Sequence, residues 1–398
     1  MLVITDFKSR FPDAEDHFTD LLNKIADANS KGKRELLKQR VMRCLNSHDA
    51  HLIAVEQAFR KLGLPVTNSD IESVAKKLNP WKGSSEPAKV FLQRKGETGA
   101  GDYRLTLAFG VENKALQYLI KAILMVTADL HPHQYATVGT SKAIAHVAEM
   151  MRQGYVWAVE VDIKNCFPSF REEELHRFLP LPKKVIDHVA MASHLNTVAG
   201  NLYDFLGPAE DGVDPIMVTD LLAEARLGIP QGSAASSIVA EILFAAVYKA
   251  VPTIGVAIGF SDNSLLMAKN QKDLVAITSA LFCALKAHPV GLLRPRIKSA
   301  SGPEEPVDFL GHRLNLINGK VTIAPNPEND AIFDHKMKKG IARLQSVKLS
   351  ELARQRHAKN LRRYVTSWTA SFALCDGIAK RRSAWLSKIQ TACDSNKK

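Results

Sequence analysis

No run of about 18 or more apolar residues occurs anywhere in this chain, so no helix is expected to cross a membrane. The first residues, Met1-Leu2-Val3-Ile4-Thr5-Asp6, lack a basic stretch followed by an apolar one, so no secretion signal is expected. Cysteine is scarce: Cys44, Cys166, Cys283, Cys375 and Cys393 are odd in number and widely scattered. That pattern excludes a disulfide framework and a cysteine zinc site, and reads as the reduced thiols of a cytoplasmic protein. Low-complexity linkers and internal repeats are absent as well. Acidic residues almost vanish from about the last sixth of the chain, where Asp334, Glu351, Asp376 and Asp394 face sixteen lysines and arginines. This excess equals the +12 net charge of the whole sequence. Tyr364, Trp368 and Trp385 are interleaved with the cations, which favours a nucleic-acid backbone as partner over a merely solvated helical face.

What is present reads as an ordinary folded protein, with 46% hydrophobic and 24% charged residues over 398 positions, room for two or three subdomains. Residues 11–78 carry helical periodicity. Ser69-Asp70-Ile71-Glu72 fits a capping box for the last helix there, and Asn79-Pro80 ends it. Lys89–Gln93 and Tyr103–Ala108 read as paired strands around a glycine-rich turn over residues 96–102. Helices are expected over 113–130 and 141–153, and a strand over 156–163. A helical insert is expected over 172–226, then a buried helix over 236–251, short strands over 253–260 and 264–268, and helices after residue 329.

The chemistry concentrates in two segments. Val161-Asp162-Ile163-Lys164-Asn165-Cys166-Phe167-Pro168-Ser169 and Ile258-Gly259-Phe260-Ser261-Asp262-Asn263-Ser264 each place one acid beside a short apolar run. A strand end presenting a carboxylate to a metal has this form. Between them lies Gly228-Ile229-Pro230-Gln231-Gly232-Ser233, a turn-forming segment that exposes its backbone. Two such aspartates with such a loop suggest a two-metal nucleotidyl-transfer site.

Asp162–Ser169 resembles the first palm motif of reverse transcriptases, in the version of bacterial retrons and their relatives. Ile229–Ser236 resembles the second palm motif, built on Pro230-Gln231-Gly232. Phe260-Ser261-Asp262-Asn263 stands in the place of the aromatic-x-Asp-Asp box, and Val307-Asp308-Phe309-Leu310-Gly311 resembles the primer-grip motif. Order and spacing agree across roughly residues 94–315. The resemblance implies an α+β right-hand polymerase. Its parts would be a helical N-terminal extension (1–80), fingers (81–155), a palm with a small antiparallel sheet (156–328, including the insert 172–226) and a basic helical thumb (329–398). The implied activity is RNA-directed DNA synthesis, adding dNTPs to a 3′-hydroxyl.

The resemblance also implies roles for single residues. Asp162 and Asp262 would be metal ligands for two Mg2+ ions, with Mn2+ as an alternative, and the Ile163 carbonyl would complete one shell. Phe167, five residues after Asp162, would abut the sugar 2′ position and exclude ribonucleotides; an ordinary core role is its alternative. Gln231 and Gly232 would lie along the nucleotide and template. Arg104, with Arg94 or Lys95, would hold the triphosphate, although a solvated strand charge is an equal reading. Lys298 would protonate pyrophosphate. Phe309, Leu310 and Gly311 would grip the primer, while Arg354, Arg356, Lys359, Arg362 and Arg363 would hold duplex phosphates.

The sequence departs from the pattern at Asn263, where the family keeps a second aspartate. Asparagine retains an oxygen donor but loses a charge. Glu160 precedes Asp162 by two residues, so both point to one face of the strand. Glu160 is therefore either a compensating metal ligand or a polar position at a strand edge. Lys142-Ala143-Ile144-Ala145-His146 partly matches a retron signature, with Lys142 in place of its asparagine, and no Val-Thr-Gly follows the primer grip. The closest kinship implied is with stand-alone bacterial reverse transcriptases of abortive infection and anti-phage defence. The expected partners are an RNA template (a dedicated non-coding RNA is one form), DNA product and dNTPs. A second copy or an accessory protein is left open, and no membrane is involved. Two alternatives remain: an untemplated or protein-primed DNA polymerase, and a weakly catalytic palm acting as an RNA-binding scaffold.

Overall fold

A computed structural model describes residues 8–94, 103–200, 215–346 and 350–394. The chain is mixed α+β, rich in helix, with small and mainly antiparallel sheets. It divides into two compact units, each assembled from separate stretches of sequence. One comprises Met1–His131, Ile163–Val247 and Ala284–Arg294, and the other Pro132–Asp162, Tyr248–Cys283 and Pro295–Lys398.

The first unit begins with four helices: α1 (Pro12–Ser30), α2 (Arg34–Leu45), α3 (His48–Leu62) and α4 (Asn68–Lys77). Their formation follows from apolar spacing; on α1, Phe18, Leu21, Leu22 and Ile25 make one buried stripe. The capping box of α4 lies two residues earlier than the sequence suggests. Thr67 is the N-cap, its hydroxyl accepting from Asp70 N while Asp70 accepts from the Thr67 backbone. Aspartate performs the closing role there, and Ser69 lies inside the helix. Strands β1 (Ala88–Arg94) and β2 (Tyr103–Ala108) form the expected hairpin, and α5 (Val111–Thr127) follows. The turn 95–102 and the side chains of Arg94 and Arg104 lie outside the described residues.

The insert, expected to be helical throughout, is not. After α7 (Glu172–Phe178), α8 (Lys183–Val185) and a widened π turn (Ile186–Ala190), residues Thr197–Ala199 form strand β4. β4 joins β1 in parallel, Lys89 opposite Val198, giving the order β2-β1-β4. A three-residue strand has no periodicity to read, and only the open edge of β1 creates it. Helix α9 (Pro215–Glu224) completes the insert, and α10 (Ser236–Lys249) is the buried helix expected over 236–251.

The second unit is built on helix α6 (Thr140–Arg152) and a four-stranded sheet of order β5-β6-β3-β7: β5 (Val256–Phe260), β6 (Asn263–Ala268), β3 (Trp157–Lys164) and β7 (Arg294–Ser301). Helix α11 (Gln271–Ala287) lies between β6 and β7 in sequence. A second sheet, β8 (Val307–Phe309), β9 (His312–Ile317) and β10 (Lys320–Pro325), is a meander of two-residue hairpins. Asn318-Gly319 turns β9 into β10 with both residues at positive φ, the Asn-Gly hairpin signal that the sequence reading passed over. Buried residues of α6 (Ala143, Ile144, Val147, Met151) share one core with Ala158, Ile258, Leu265, Met267, Phe309 and Leu314.

Three helices end the chain: α12 (Pro327–Gln345), α13 (Glu351–Ser371) and α14 (Ile378–Asp394). Their core gathers Phe333, Met337, Leu344, Leu361, Val365, Trp385 and Ile389. Phe333 stacks on Trp368 at 3.9 Å between ring centroids, and the Arg381 guanidinium lies 5.1 Å from both rings. Among the described residues, no helix is long and apolar enough to cross a membrane.

Candidate active site

β3 alternates, with Ala158, Glu160 and Asp162 on one face and Val159, Val161 and Ile163 on the other. Antiparallel register against β6 sets Ala158 opposite Met267, Glu160 opposite Leu265, and Asp162 opposite Asn263. β5 extends each row, placing Phe260 across from Asn263. The Ala158 end of this face is buried in the core under α6, whereas Asp162 reaches the rim with its side chain 17% exposed. Glu160 lies between them and is buried.

Asp262 occupies the two-residue turn between β5 and β6. Its neighbour Ser261 has φ +58°, so the chain reverses tightly and brings Asp262 beside Asn263. Asn263 Nδ2 donates to Asp262 Oδ1 at 3.2 Å. Gly259 of β5 is held along one edge by a parallel bridge to Gln134: its N–H donates to His133 O, and its carbonyl accepts from Tyr135 N. A Cβ there would come within 2.5 Å of the Tyr248 ring, whose hydroxyl hydrogen-bonds Ser264 Oγ. The hairpin that carries Asp262 is thus held at the edge of β5 and against Tyr248. Next to it, Tyr135 Oη meets His146 Nδ1 at 2.9 Å, and burial holds the His133 and His146 imidazoles below the usual range.

Two cations from β7 meet the acidic face. Arg296 Nε and Nη2 both donate to Asp162 Oδ2, at 2.8 and 2.7 Å, while Oδ1 has no hydrogen-bond partner among the described residues. Lys298 Nζ donates to Glu160 Oε1 at 2.9 Å, and Ser299 Oγ lies 3.4 Å from Oε2. Both Glu160 oxygens are therefore engaged. Glu160, Asp162 and Asp262 do not bring one carboxylate oxygen each together as the three ligands of a single ion. Oδ1 of Asp162, the Asp262 carboxylate and the Asn263 amide oxygen are the hard donors that could hold a divalent cation. Sequence reasoning gave Arg296 no role, because β7 was not read as a strand. Once it is, the spacing of Arg296 and Lys298 places both on one face.

The other sequence-selected residues of the palm motifs belong to the first unit. Ile163 and Phe167 are buried there, and Ile229 N donates to Phe167 O. Gly232 has φ +103°, and a Cβ would stand 2.4 Å from Leu107 O, so the close approach of this loop to β2 requires glycine. Leu107 N donates to Gln231 O, Lys114 Nζ to Gly232 O at 2.7 Å, and Ala234 N to the Gln117 side chain at 3.0 Å. Burial lowers the Lys114 pKa from the ordinary lysine range. Lys114 and Gln117 were missed because they sit on α5, far from the loop in sequence.

In the segment Val307–Gly311 of the second unit, Phe309 is core, and Leu310 and Gly311 form the β8–β9 turn with φ +48° and +78°. Leucine in the left-handed region costs of order 1 kcal/mol or more and persists only where its surroundings impose it. On α13, Arg356, Lys359 and Arg363 are exposed and spaced to share one stripe. Arg354 instead contacts Glu351 and the Ser346 carbonyl, and Arg362 donates to Gln390 at 2.6 Å.

No protein-family model and no curated protein matches this chain. Among solved structures, telomerase from Candida albicans in complex with a TWJ fragment of telomeric RNA is similar at 10% identity and TM-score 0.36, over 79% of this chain. The chain spans 60% of the length of that telomerase chain. A likeness of this degree fixes neither fold nor activity.

Proposed function

We propose that this chain is a nucleotidyltransferase that adds dNTPs to a 3′-hydroxyl on an RNA template. The motif resemblance supports this reading, and one structural observation carries it. Asp162 stands opposite Asn263 on adjacent antiparallel strands, with Asp262 in the turn next to it. Mg2+ ions held by Asp162, Asp262 and the Asn263 amide oxygen would polarise the attacking hydroxyl and offset charge on the departing pyrophosphate. Asp162 would present Oδ1, with Arg296 fixing Oδ2. Lys298, held by Glu160, would carry the proton for the leaving pyrophosphate. Arg356, Lys359 and Arg363 would meet nucleic-acid phosphates.

The direct test is to purify the protein with its bound nucleic acid and supply labelled dNTPs with Mg2+. Incorporation that depends on added or bound RNA sustains the reading. Protease-sensitive attachment of the product to protein would select a protein-primed polymerase instead. The engagement of Asp162 and Glu160 by Arg296 and Lys298 favours one second reading, an RNA-binding scaffold. Saturable RNA binding with no incorporation under any primer or metal would support it.

Two further outcomes follow from the geometry. Glu160→Gln should leave the Mg2+ concentration for half-maximal activity unchanged, since Lys298 and Ser299 occupy both carboxylate oxygens. A marked rise in that concentration would make Glu160 a metal ligand. Triple replacement of Arg356, Lys359 and Arg363 by alanine should lower the slope of log K against log salt for single-stranded RNA by roughly 2 units, at about 0.7 per phosphate contact. An unchanged slope in filter binding would remove this stripe from the interface.

A further inference from the structure

We propose that Glu172, Asp187 and His194, in the first unit, form a binding site for a divalent cation of the zinc class, with His176 holding Asp187 in place. The proposal does not depend on the polymerase reading.

The elements converge in a way their sequence spacing prepares. Glu172 opens α7 and His176 stands four residues on, so both lie on one face of that helix. The chain then passes through the π turn Ile186–Ala190, a rare widening often found at functional sites, which carries Asp187. The loop after it returns His194. One donor atom from each of Glu172, Asp187 and His194 lies within 4.8 Å of the others.

The distances separate ligand from support. His194 Nε2 is 3.2 Å from Glu172 Oε2. Two ligands of a tetrahedral ion with bonds of about 2.0–2.1 Å stand about 3.3 Å apart, so this pair already has the spacing. His176 Nε2 lies 2.5 Å from Asp187 Oδ1, too close for both atoms to bind one ion. His176 therefore acts as the hydrogen-bond partner that orients the ligating carboxylate and leaves Oδ2 for the cation. The His188 ring packs edge-on against His194 at 5.4 Å and fixes its plane.

The donor set selects the metal. An imidazole with two carboxylates suits zinc and its neighbours and does not suit Mg2+, which takes oxygen ligands alone. Two carboxylates at this separation repel each other, and a divalent ion cancels that charge. Three protein ligands leave a fourth position for water. Bound there, the ion would tie α7 to the π turn and to the loop carrying His194.

The full-length protein, stripped with a chelator, should be titrated with Zn2+ alone by calorimetry and native mass spectrometry, and its melting followed. One Zn2+ per chain and a raised midpoint are expected. Asp187→Asn and His194→Gln, which keep side-chain volume, should lose this ion, and His176→Ala should bind about 10- to 100-fold more weakly. Co2+ substitution should give a tetrahedral spectrum without a thiolate band, which distinguishes the site from the free cysteines. Equal binding by wild type and all three variants overturns the proposal, as does no saturable binding by the wild type. The cluster would then be two histidine–carboxylate hydrogen bonds.

Discussion

On the proposed function, Asp162→Ala and Asp262→Ala should each abolish dNTP incorporation, by at least about 1,000-fold, while the protein stays folded. A factor of 1,000 corresponds to about 4 kcal/mol of transition-state stabilisation, the scale expected when a ligand of a catalytic cation is removed. The fold should tolerate both changes. Asp162 lies at the rim of the sheet, and its partner Arg296 is 55% exposed, so the freed guanidinium finds water. An exposed ion pair of this kind contributes of order 1 kcal/mol or less. Asp262 sits in a hairpin turn, and the hairpin is held independently through Gly259 and Ser264. Single-turnover incorporation and a melting curve on each variant make the check. If either alanine variant retains more than about a tenth of wild-type incorporation with the same Mg2+ dependence, the site is elsewhere.

Phe333→Ala should destabilise the second unit by about 3–5 kcal/mol, the range for emptying a buried aromatic position. Phe333 is fully buried between Trp368, Tyr364 and Trp385, with Arg381 against its face. Arg381 is held by Asp330 and Asp334, so it belongs to the architecture of the three-helix core and is not a free phosphate-binding cation. Loss of the ring removes the surface on which Arg381 and Trp368 pack. At roughly 2–4 °C per kcal/mol for a unit of this size, the melting midpoint should fall by roughly 6–20 °C. RNA binding should weaken with it, because the stripe of Arg356, Lys359 and Arg363 loses its rigid support. Phe333→Leu should recover most of the stability. A midpoint change of under about 2 °C in Phe333→Ala would mean that the three helices are held by something else.

Much of the fold was legible because its signals are local. Helical periodicity placed α1–α6 and α10, and the hairpin pattern placed β1 and β2. The candidate motifs stood out because Asp162, Gln231-Gly232, Asp262 and Phe309 each sit in a short segment of distinctive composition, and of these the structure sets Asp162 opposite Asn263, next to Asp262. Other elements were missed for identifiable reasons. β4 is three residues long and exists through pairing with β1. β7 begins Arg294-Pro295-Arg296 and carries five polar residues of eight on a partly exposed strand, so it shows little apolar alternation. The Asn318-Gly319 turn was a usable signal for β9 and β10 that went unread.

The sequence by itself determined which residue types stand at the strand ends and that the cations collect in the terminal helices. Side-chain period and charge are properties of neighbouring residues, and the order of the chain alone sets them. Only the tertiary structure decided what each acid touches. Strand order β5-β6-β3-β7 sets Arg296 against Asp162 across 134 residues of sequence, and Lys298 against Glu160 across 138. The packing of the first unit likewise ties Lys114 to the Gly232 loop and brings Glu172 to His194. Such partners are chosen by which strands and helices lie side by side, and that is fixed by burial of apolar faces over the whole unit.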